Sequence, residues 1–304
     1  MDWKLIGQQE SGEMSIEVDY RGKKIIKETK VLDHGFVKLL DIMGSDEEVE
    51  DAARISYGEG TRKVSQTRNL IRYLMRHKHT SPFEMCEVKF HIKLPIFVMR
   101  QLVRHRTANL NEYSGRYSVM SDDFYFPKGD SLKPQSTTNK QGREEGELGN
   151  DIGEIEFEMY RIFDGATNSY KNLLDWNLSR ELARIVLPVS NYTEVIWKID
   201  LHNFFHVINL RAEKHAQQEI QDYADAMYHL VFPHFPLCCE AFEHYVRNAV
   251  TFSEQEMDVI KELLEYADTK AALAGISQCM ADYEGFHLGK RETKEFLEKL
   301  GKED

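Results

Sequence analysis

The sequence predicts an α+β fold, a helix-rich domain built around a mostly antiparallel sheet. Three observations carry this. The stretch EVKFHIKLP at 87–95 alternates Val88, Phe90, Ile92 and Leu94 with Glu87, Lys89, His91 and Lys93, the period-two pattern of a half-buried strand. Long stretches of helical period lie between few short strands, with no regular strand–helix–strand rhythm. Neither a G-x-G-x-x-G turn after a strand nor a G-x-x-x-x-G-K-[ST] loop is present, so any nucleotide binds without those phosphate loops.

Taken in order, residues 24–43 read as a strand pair with a turn near Asp33-His34-Gly35. Ser45 fits a helix N-cap, with Glu48 three residues on completing a capping box, and the helix runs to about Tyr57. A second helix spans about Ser65 to Lys78, with Leu70, Ile71, Leu74 and Met75 on one side. After the strand at 87–94, Pro95 suits the first turn of a helix, IFVMRQLVRHR, expected to turn Ile96, Phe97, Met99 and Val103 inward. Arg100 and Arg104, four apart, share a face with Gln101 beside them. The chain then leaves this helix as a loop.

Residues 128–150 are polar and rich in Gly and Ser, a long loop or lid over a substrate; loops of that length in compact proteins are often functional or disordered. Helices are expected at about 152–176 and 179–186, a strand at 191–199, and helices at about 200–214 and 216–231. The tail after about 250 is amphipathic, charged and helical. The organisation expected is a catalytic domain over 1–250 and a helical extension over 251–304.

A chain of 304 residues buries a real core. Its net charge of −12 argues against a general nucleic-acid binder, yet leaves room for a local cationic pocket. No apolar run approaches a membrane span, and the N-terminus lacks a basic start and apolar stretch, so a cytoplasmic protein is expected. None of the four cysteines has CxxC spacing; they read as small buried hydrophobes.

Against this acidic background, RHRTANLNEYSGRYS at 104–118 crowds Arg104, Arg106 and Arg116 with His105, Glu112, Ser114, Tyr117 and Ser118. Arginine forks match phosphate bidentately, and Gly115 lets backbone approach an anion closely. The bland alternative is a helix end whose arginines pair with surplus carboxylates. SRELARIVLP holds Arg180, Glu181 and Arg184 at helical spacing, which also reads as a surface ion-pair ladder. HKHTSPFE places His77, His79, Ser81 and Glu84 in a polar turn. In DLHNFFHVINLRAEKHAQQEI, His202 and His206 stand four apart, but Asn203 follows where a metalloprotease needs Glu, and no metal is expected. Arg211 in the same stretch could stabilise an anion forming on a substrate. Ser114 is outside any G-x-S-x-G elbow.

These blocks together resemble one family. Arg104-His105-Arg106 followed after seven residues by Ser114 is similar to the RHR-x7-S signature of flavin-dependent thymidylate synthases. NE-x-SGRYS at 111–118, HTSPFE at 79–84, RELARIVLP at 180–188 and NLRAEKHAQQEI at 209–220 resemble further family blocks in the expected order, across about residues 30–250.

The resemblance implies reductive methylation of dUMP to dTMP. The one-carbon unit comes from methylenetetrahydrofolate, FAD is the cofactor, and NADPH is the reductant. It implies a homotetramer with active sites shared between subunits, and no cysteine nucleophile. By position, Gln101, Leu102, Val103, Arg104, Glu112, Tyr113, Ser114, Gly115, Arg116, Arg184 and Arg211 would contact dUMP, with Arg211 activating the uracil ring. His79, Ser81, Arg104, His105, Arg106, Glu112, Asp200, Leu201, His202 and His206 would contact FAD. Asn109 stands where the motif often has Ser, and Asp200 and His202 where Asn and Arg are common.

Overall fold

The computed structural model of the chain describes residues 27–55, 67–137 and 140–266, with positions 292 and 295. It divides into two compact units, and residues 27–248 all belong to one of them.

That unit is built on a five-stranded, wholly antiparallel sheet. β1 (Lys27–Val31) and β2 (Gly35–Met43) form the hairpin read from the sequence, closed by a turn at Leu32, Asp33 and His34. The turn is tied down from both sides, because Asp33 accepts from the Tyr192 hydroxyl at 2.6 Å and the Phe126 N–H at 2.9 Å. Gly35 must be glycine here, since a Cβ would stand 2.0 Å from the Tyr223 hydroxyl. The part of the expected strand at 24–26 lies outside the described residues.

β3 (Glu87–Pro95) sits at the centre, paired with β2 on one side and β5 (Tyr192–Asp200) on the other. Its alternation holds as read: Val88, Phe90, Ile92 and Leu94 are buried. The opposite face carries a hydrogen bond between His91 and Glu194 at 2.7 Å, and ion pairs of Lys93 with Asp123 at 2.6 Å and of Lys198 with Glu87.

The sheet edge beyond β5 is β4 (Asn109–Glu112), where the sequence reads as a loop. All four of its residues are exposed, so no apolar alternation marks it; pairing with β5 alone makes it a strand.

α1 (Asp46–Arg54) starts at Ser45, whose hydroxyl accepts from the Glu48 N–H and donates to Glu47 at 2.9 Å; among the described residues the Glu48 side chain does not return to the Ser45 N–H, so only half of the expected capping box forms. Its expected last residues, 56–57, lie outside the described residues. α2 (Thr67–Arg76) buries Ile71 and Leu74, with Leu70 and Met75 packed beside them. α3 (Ser81–Glu84) is a single turn.

α4 (Ile96–Leu102) differs in phase from the expectation. It buries Val98, Met99 and Leu102, leaves Ile96 and Phe97 half-buried, and exposes Val103. Pro95 closes the strand and acts as N-cap, and the helix starts at Ile96 as expected but ends at Leu102, before Val103.

α5 (Ile152–Asp175) is long and buries only Tyr170; Asn177, with φ of 61°, turns the chain out of it. α6 (Arg180–Ala183) continues as a tight turn through Val186. α7 (Leu201–Arg211) and α8 (Gln218–Val231) pack on the apolar face of the sheet. There Phe204 stacks on Phe90, which also meets Trp197. The sequence reading passed over α9 (Pro236–Phe242) and the π turn Glu243–Arg247 after it. Phe242 of α9 stacks on Phe205 at 4.6 Å.

Cys86, Cys238 and Cys239 are free and buried, as read; Cys279 lies outside the described residues. Residues 128–137 and 140–150 form a tied strap: Gln135 bridges to Arg143, and Arg143 donates to the Ser131 carbonyl at 2.7 Å.

In the other unit, α10 (Glu254–Tyr266) begins with a reciprocal capping box. Ser253 and Glu256 each accept the other's backbone N–H, at 3.3 Å and 2.7 Å.

Candidate active site

The first cluster forms where α4 and α7 end. After Leu102 two successive turns carry the chain through residues 103–108, and this brings His105 back over the last turn of α7. Arg211 is the last residue of α7, where the helix dipole favours a cation. Its Nε–H donates to Nε2 of His105 at 3.0 Å, and its Nη2 faces the Gln101 carbonyl at 3.5 Å. His206, more than a turn earlier on α7, meets the His105 ring edge-on at 6.3 Å.

The electrostatics are those of an anion site. Burial, and then Arg104 nearby, lower the affinity of Arg211 for its proton. Burial, then Arg211 and His206, push the His105 imidazole down to about 4. The ring is therefore neutral, with Nε2 free to accept and its proton on Nδ1. Among the described residues, Arg104, Arg106, Arg184 and Arg211 take part in no ion pair. For Arg104 and Arg106 this goes against the helix-end reading, in which surplus carboxylates absorb the charges; Arg116 of the same segment does meet a carboxylate, that of Glu181.

The second cluster gathers around Gly115. The turn 114–118 is closed by N–H bonds from Tyr117 and Ser118 to the Ser114 carbonyl, both at 3.1 Å, and the Ser114 hydroxyl accepts from the Arg116 N–H at 3.3 Å. Gly115 is buried; a Cβ there would lie 2.8 Å from the Met120 sulfur and 3.1 Å from Cδ of Arg184. The absence of a side chain thus lets this turn lie against Arg184. Glu181 pairs with Arg116 at 3.0 Å rather than with Arg184, and Arg180 donates to the Tyr117 carbonyl at 2.8 Å. The expected ladder within 180–184 is replaced by a link between two segments. Beside it opens a cleft of about 520 Å³ lined by Arg116, Tyr117, Asn177, Ser179, Arg180 and Glu181.

The strand β4 runs between the two clusters, about 13 Å for four residues at strand rise. Among the described residues of one chain, no hydrogen bond joins them. Glu112 at the end of β4 accepts from the Thr193 hydroxyl at 2.9 Å, and the Tyr113 hydroxyl donates to the Val119 carbonyl at 2.9 Å.

The remaining expected residues lie along α7 and on α3, which packs against it. Asp200 is the N-cap of α7, its carboxylate accepting from the Asn203 backbone at 2.8 Å and side chain at 2.7 Å. Leu201 and Leu102 are fully buried, so only backbone atoms of either could touch a ligand, and the Leu201 N–H is already bonded to the Cys86 carbonyl. His202 is half-buried, and Ser81 and His79 are exposed. The His79 ring meets Tyr73 edge-on at 5.7 Å. The start of α7 lies about 16 Å from Arg211 at helix rise. His202, His206 and His215 are not drawn into one ligand set: His206 faces His105, and His215 turns onto Glu213 at 2.8 Å. Among the described residues no group of three or more potential metal ligands converges.

The sequence reading missed Gln217, whose Oε1 accepts from the Gln101 side chain at 2.6 Å, and the contribution of Thr193. Both contacts span long sequence separations, and no periodic signal marks them.

Residues 38–237 match the family described as thymidylate synthase complementing protein. A flavin-dependent thymidylate synthase of Ehrlichia ruminantium (strain Gardel) is 48% identical over 276 residues, covering 91% of this chain and 89% of that one. One from Treponema denticola is 49% identical over 244 residues, covering 80% and 92%. Among solved structures, the UMP/dUMP methylase PolB of Streptomyces cacaoi bound with 5-Br dUMP superimposes with a TM-score of 0.65 at 34% identity, covering 72% of this chain and 98% of that one.

Proposed function

The chain belongs to the thymidylate synthase complementing protein family, the flavin-dependent thymidylate synthases, and on that footing we propose that it methylates dUMP to dTMP with methylenetetrahydrofolate as carbon donor, FAD as cofactor and NADPH as reductant. The observation that carries the reading is the set of guanidinium groups, Arg104, Arg106, Arg184 and Arg211, that meet no carboxylate among the described residues, in a chain of net charge −12. Such cations lower one another's stability unless an anion joins them. A nucleotide phosphate supplies that anion, and arginine forks suit it.

The donor set also fits a flavin dinucleotide. Arg104 and Arg106 offer uncompensated charge to a pyrophosphate, while the exposed ring of His79 and the neutral ring of His105 offer flat, polar surface to an aromatic system. Ser81, Glu112, Asp200, Leu201, His202 and His206 would complete its surroundings along α7. When bound, the flavin supplies the reducing equivalents that convert the transferred methylene into a methyl group.

The chain's own groups have separable tasks. Ser114, Gly115, Arg116 and Arg184 bind the dUMP phosphate, with Gln101, Leu102, Val103, Arg104, Glu112 and Tyr113 around the rest. Arg211 stabilises negative charge where it develops on the uracil ring and need transfer no proton. Neutral His105 fixes the direction of Arg211 without cancelling its charge. Burial pushes the Cys86 thiol up to about 11 and raises those of Cys238 and Cys239, which suits a reaction without a cysteine nucleophile.

A homotetramer with shared sites accounts for two further features. The two clusters lie apart within one chain, and Trp176 and Ile185, each 75% exposed, join Phe157 and Tyr160 in leaving large apolar side chains uncovered. No described helix is long and apolar enough to cross a membrane, and free thiols accord with the cytoplasm.

The test is product analysis. With dUMP, methylenetetrahydrofolate, FAD and NADPH the chain should form dTMP and release tetrahydrofolate, because the folate gives up carbon but no hydride. Formation of dTMP without flavin, with dihydrofolate released, contradicts it.

A further inference from the structure

Glu112 is a carboxylate set among cations. It ends β4, the strand between the Arg211 cluster and the Gly115 turn, and Arg106 and Arg116 flank it in sequence. Yet among the described residues it takes part in no ion pair. The partner its side chain meets is neutral: the Thr193 hydroxyl donates to Oε1 at 2.9 Å.

The sheet arranges that meeting. Along β5, Thr193, Val195 and Trp197 turn to one face and are all buried, and α7 packs on that face. Glu112 stands opposite Val195 in the β4–β5 register, so it shares this face, with Thr193 as its diagonal neighbour. The Tyr113 N–H fastens the strand end to the Glu194 carbonyl at 2.8 Å. Thr193 is 3% exposed, and on its other side it pairs with Leu94 of β3. A β-branched side chain held in this way has little freedom at χ1, so its hydroxyl keeps one direction.

An ionised carboxylate only accepts hydrogen bonds. With Oε1 taken by Thr193, Oε2 is left for a hydroxyl or N–H of a ligand and cannot serve its phosphate. Left untied, a carboxylate on this strand is drawn to the uncompensated guanidinium groups of Arg104, Arg106 and Arg211, which suit it as well as they suit phosphate. There it would stand in the place of the ligand's own negative charge.

We infer that Thr193 is a positioning residue that withholds Glu112 from the site's arginines, so that they stay open to an anionic nucleotide. The inference rests on the proposed thymidylate synthase reading and assigns a role within that site. Thr193, being buried, acts only through Glu112. It does for a carboxylate what His105 does for Arg211, orienting a charge without cancelling it.

The experiment is equilibrium binding of dUMP to the full chain loaded with FAD, for wild type, Thr193→Val, Glu112→Ala and the pair. Thr193→Val keeps the branched shape and removes the hydroxyl, and should raise the Kd for dUMP about tenfold, the size of a hydrogen bond to a charged group. That ratio should shrink as salt rises, because the competing contact is electrostatic. Thr193→Ser, which restores the hydroxyl, should bring the Kd back to within about threefold of wild type. In the Glu112→Ala background Thr193→Val should change the Kd by less than about twofold, since no carboxylate remains to be misplaced. Should Thr193→Val fail to fold, Thr193→Ala carries the same cycle.

A Thr193→Val chain with the wild-type Kd, or an equal loss with and without Glu112, overturns the inference. A wild-type chain that binds no dUMP would instead remove the underlying reading, so the two failures are distinct.

Discussion

Arg211 donates its Nε–H to Nε2 of His105 at 3.0 Å, so the guanidinium at the end of α7 is held by a neutral ring and not by a carboxylate. A carboxylate in that position would neutralise the guanidinium charge. A neutral acceptor orients the group and leaves its charge available.

The pair makes stability depend on pH. His105 is pushed down to about 4 from its ordinary 6.5, first by burial and then by Arg211 and His206. The unfolded chain therefore takes up a proton at this site before the folded one does. The stability tied to His105 is full above about 6.5 and is lost as pH falls toward 4. For a half-buried ring the effect is on the order of 1 kcal/mol after solvent screening. Urea titrations across this range should show it, and His105→Asn, which keeps an acceptor but cannot titrate, should flatten that part of the profile. Parallel profiles for the two proteins would remove His105 as the cause.

Replacing Arg211 by Ala should separate chemistry from cofactor binding. Turnover should fall about 10²- to 10³-fold, the usual loss when a charge-stabilising donor is removed. Flavin content, read from the visible spectrum, should stay near the wild-type level. A variant with normal kcat would sink the role given to Arg211.

Gly115→Ala should act on the nucleotide side alone. The new Cβ meets the Met120 sulfur and Cδ of Arg184, both parts of flexible side chains, so the cost is displacement of Arg184 and not unfolding. Overpacking of this kind costs about 1–3 kcal/mol. The KM for dUMP should rise about five- to tenfold or more, while the melting temperature falls by only about a few degrees and the protein stays folded. An unchanged KM would mean that the turn does not hold the phosphate.

Asp46→Ala should affect stability and not the site. Asp46 is buried at the start of α1, and its two oxygens accept from the Leu237 N–H at 2.8 Å and the Cys238 N–H at 3.0 Å. Removing it strands two backbone donors at the start of α9, about 2–4 kcal/mol in all. Denaturant unfolding should shift accordingly, while kcat of the folded enzyme stays within about twofold of wild type.

Local rules carried much of this fold. The alternation of β3, the strand at 191–199, the Ser45 cap and the hairpin turn at Asp33 each follow from neighbours in the chain, and each appears as read, β5 to within a residue. β4 was illegible because all its residues are exposed and its partner strand lies more than 80 residues away in sequence. The buried face of α4 was misread because Ile96, Phe97, Val98 and Met99 are all apolar, so the sequence does not mark which of them face the core. In the candidate site, the motif blocks named Arg104, His105 and Arg211, which the fold brings together. The Gln101–Gln217 and Glu112–Thr193 contacts span 116 and 81 residues, and nothing local encodes them. The pairing of Arg116 with Glu181 likewise replaces a local ladder with a long-range link.

The measurement closest to the central claim is a single-turnover experiment without oxygen. The purified chain loaded with FAD is reduced with NADPH, then mixed with dUMP and methylenetetrahydrofolate, while the visible flavin band and dTMP are followed together. The account predicts that the band bleaches with NADPH and returns as dTMP appears, one for one. A chain that binds dUMP but retains no flavin after soaking, or whose flavin stays reduced while no dTMP forms, would contradict it and leave a nucleotide-binding protein without this chemistry.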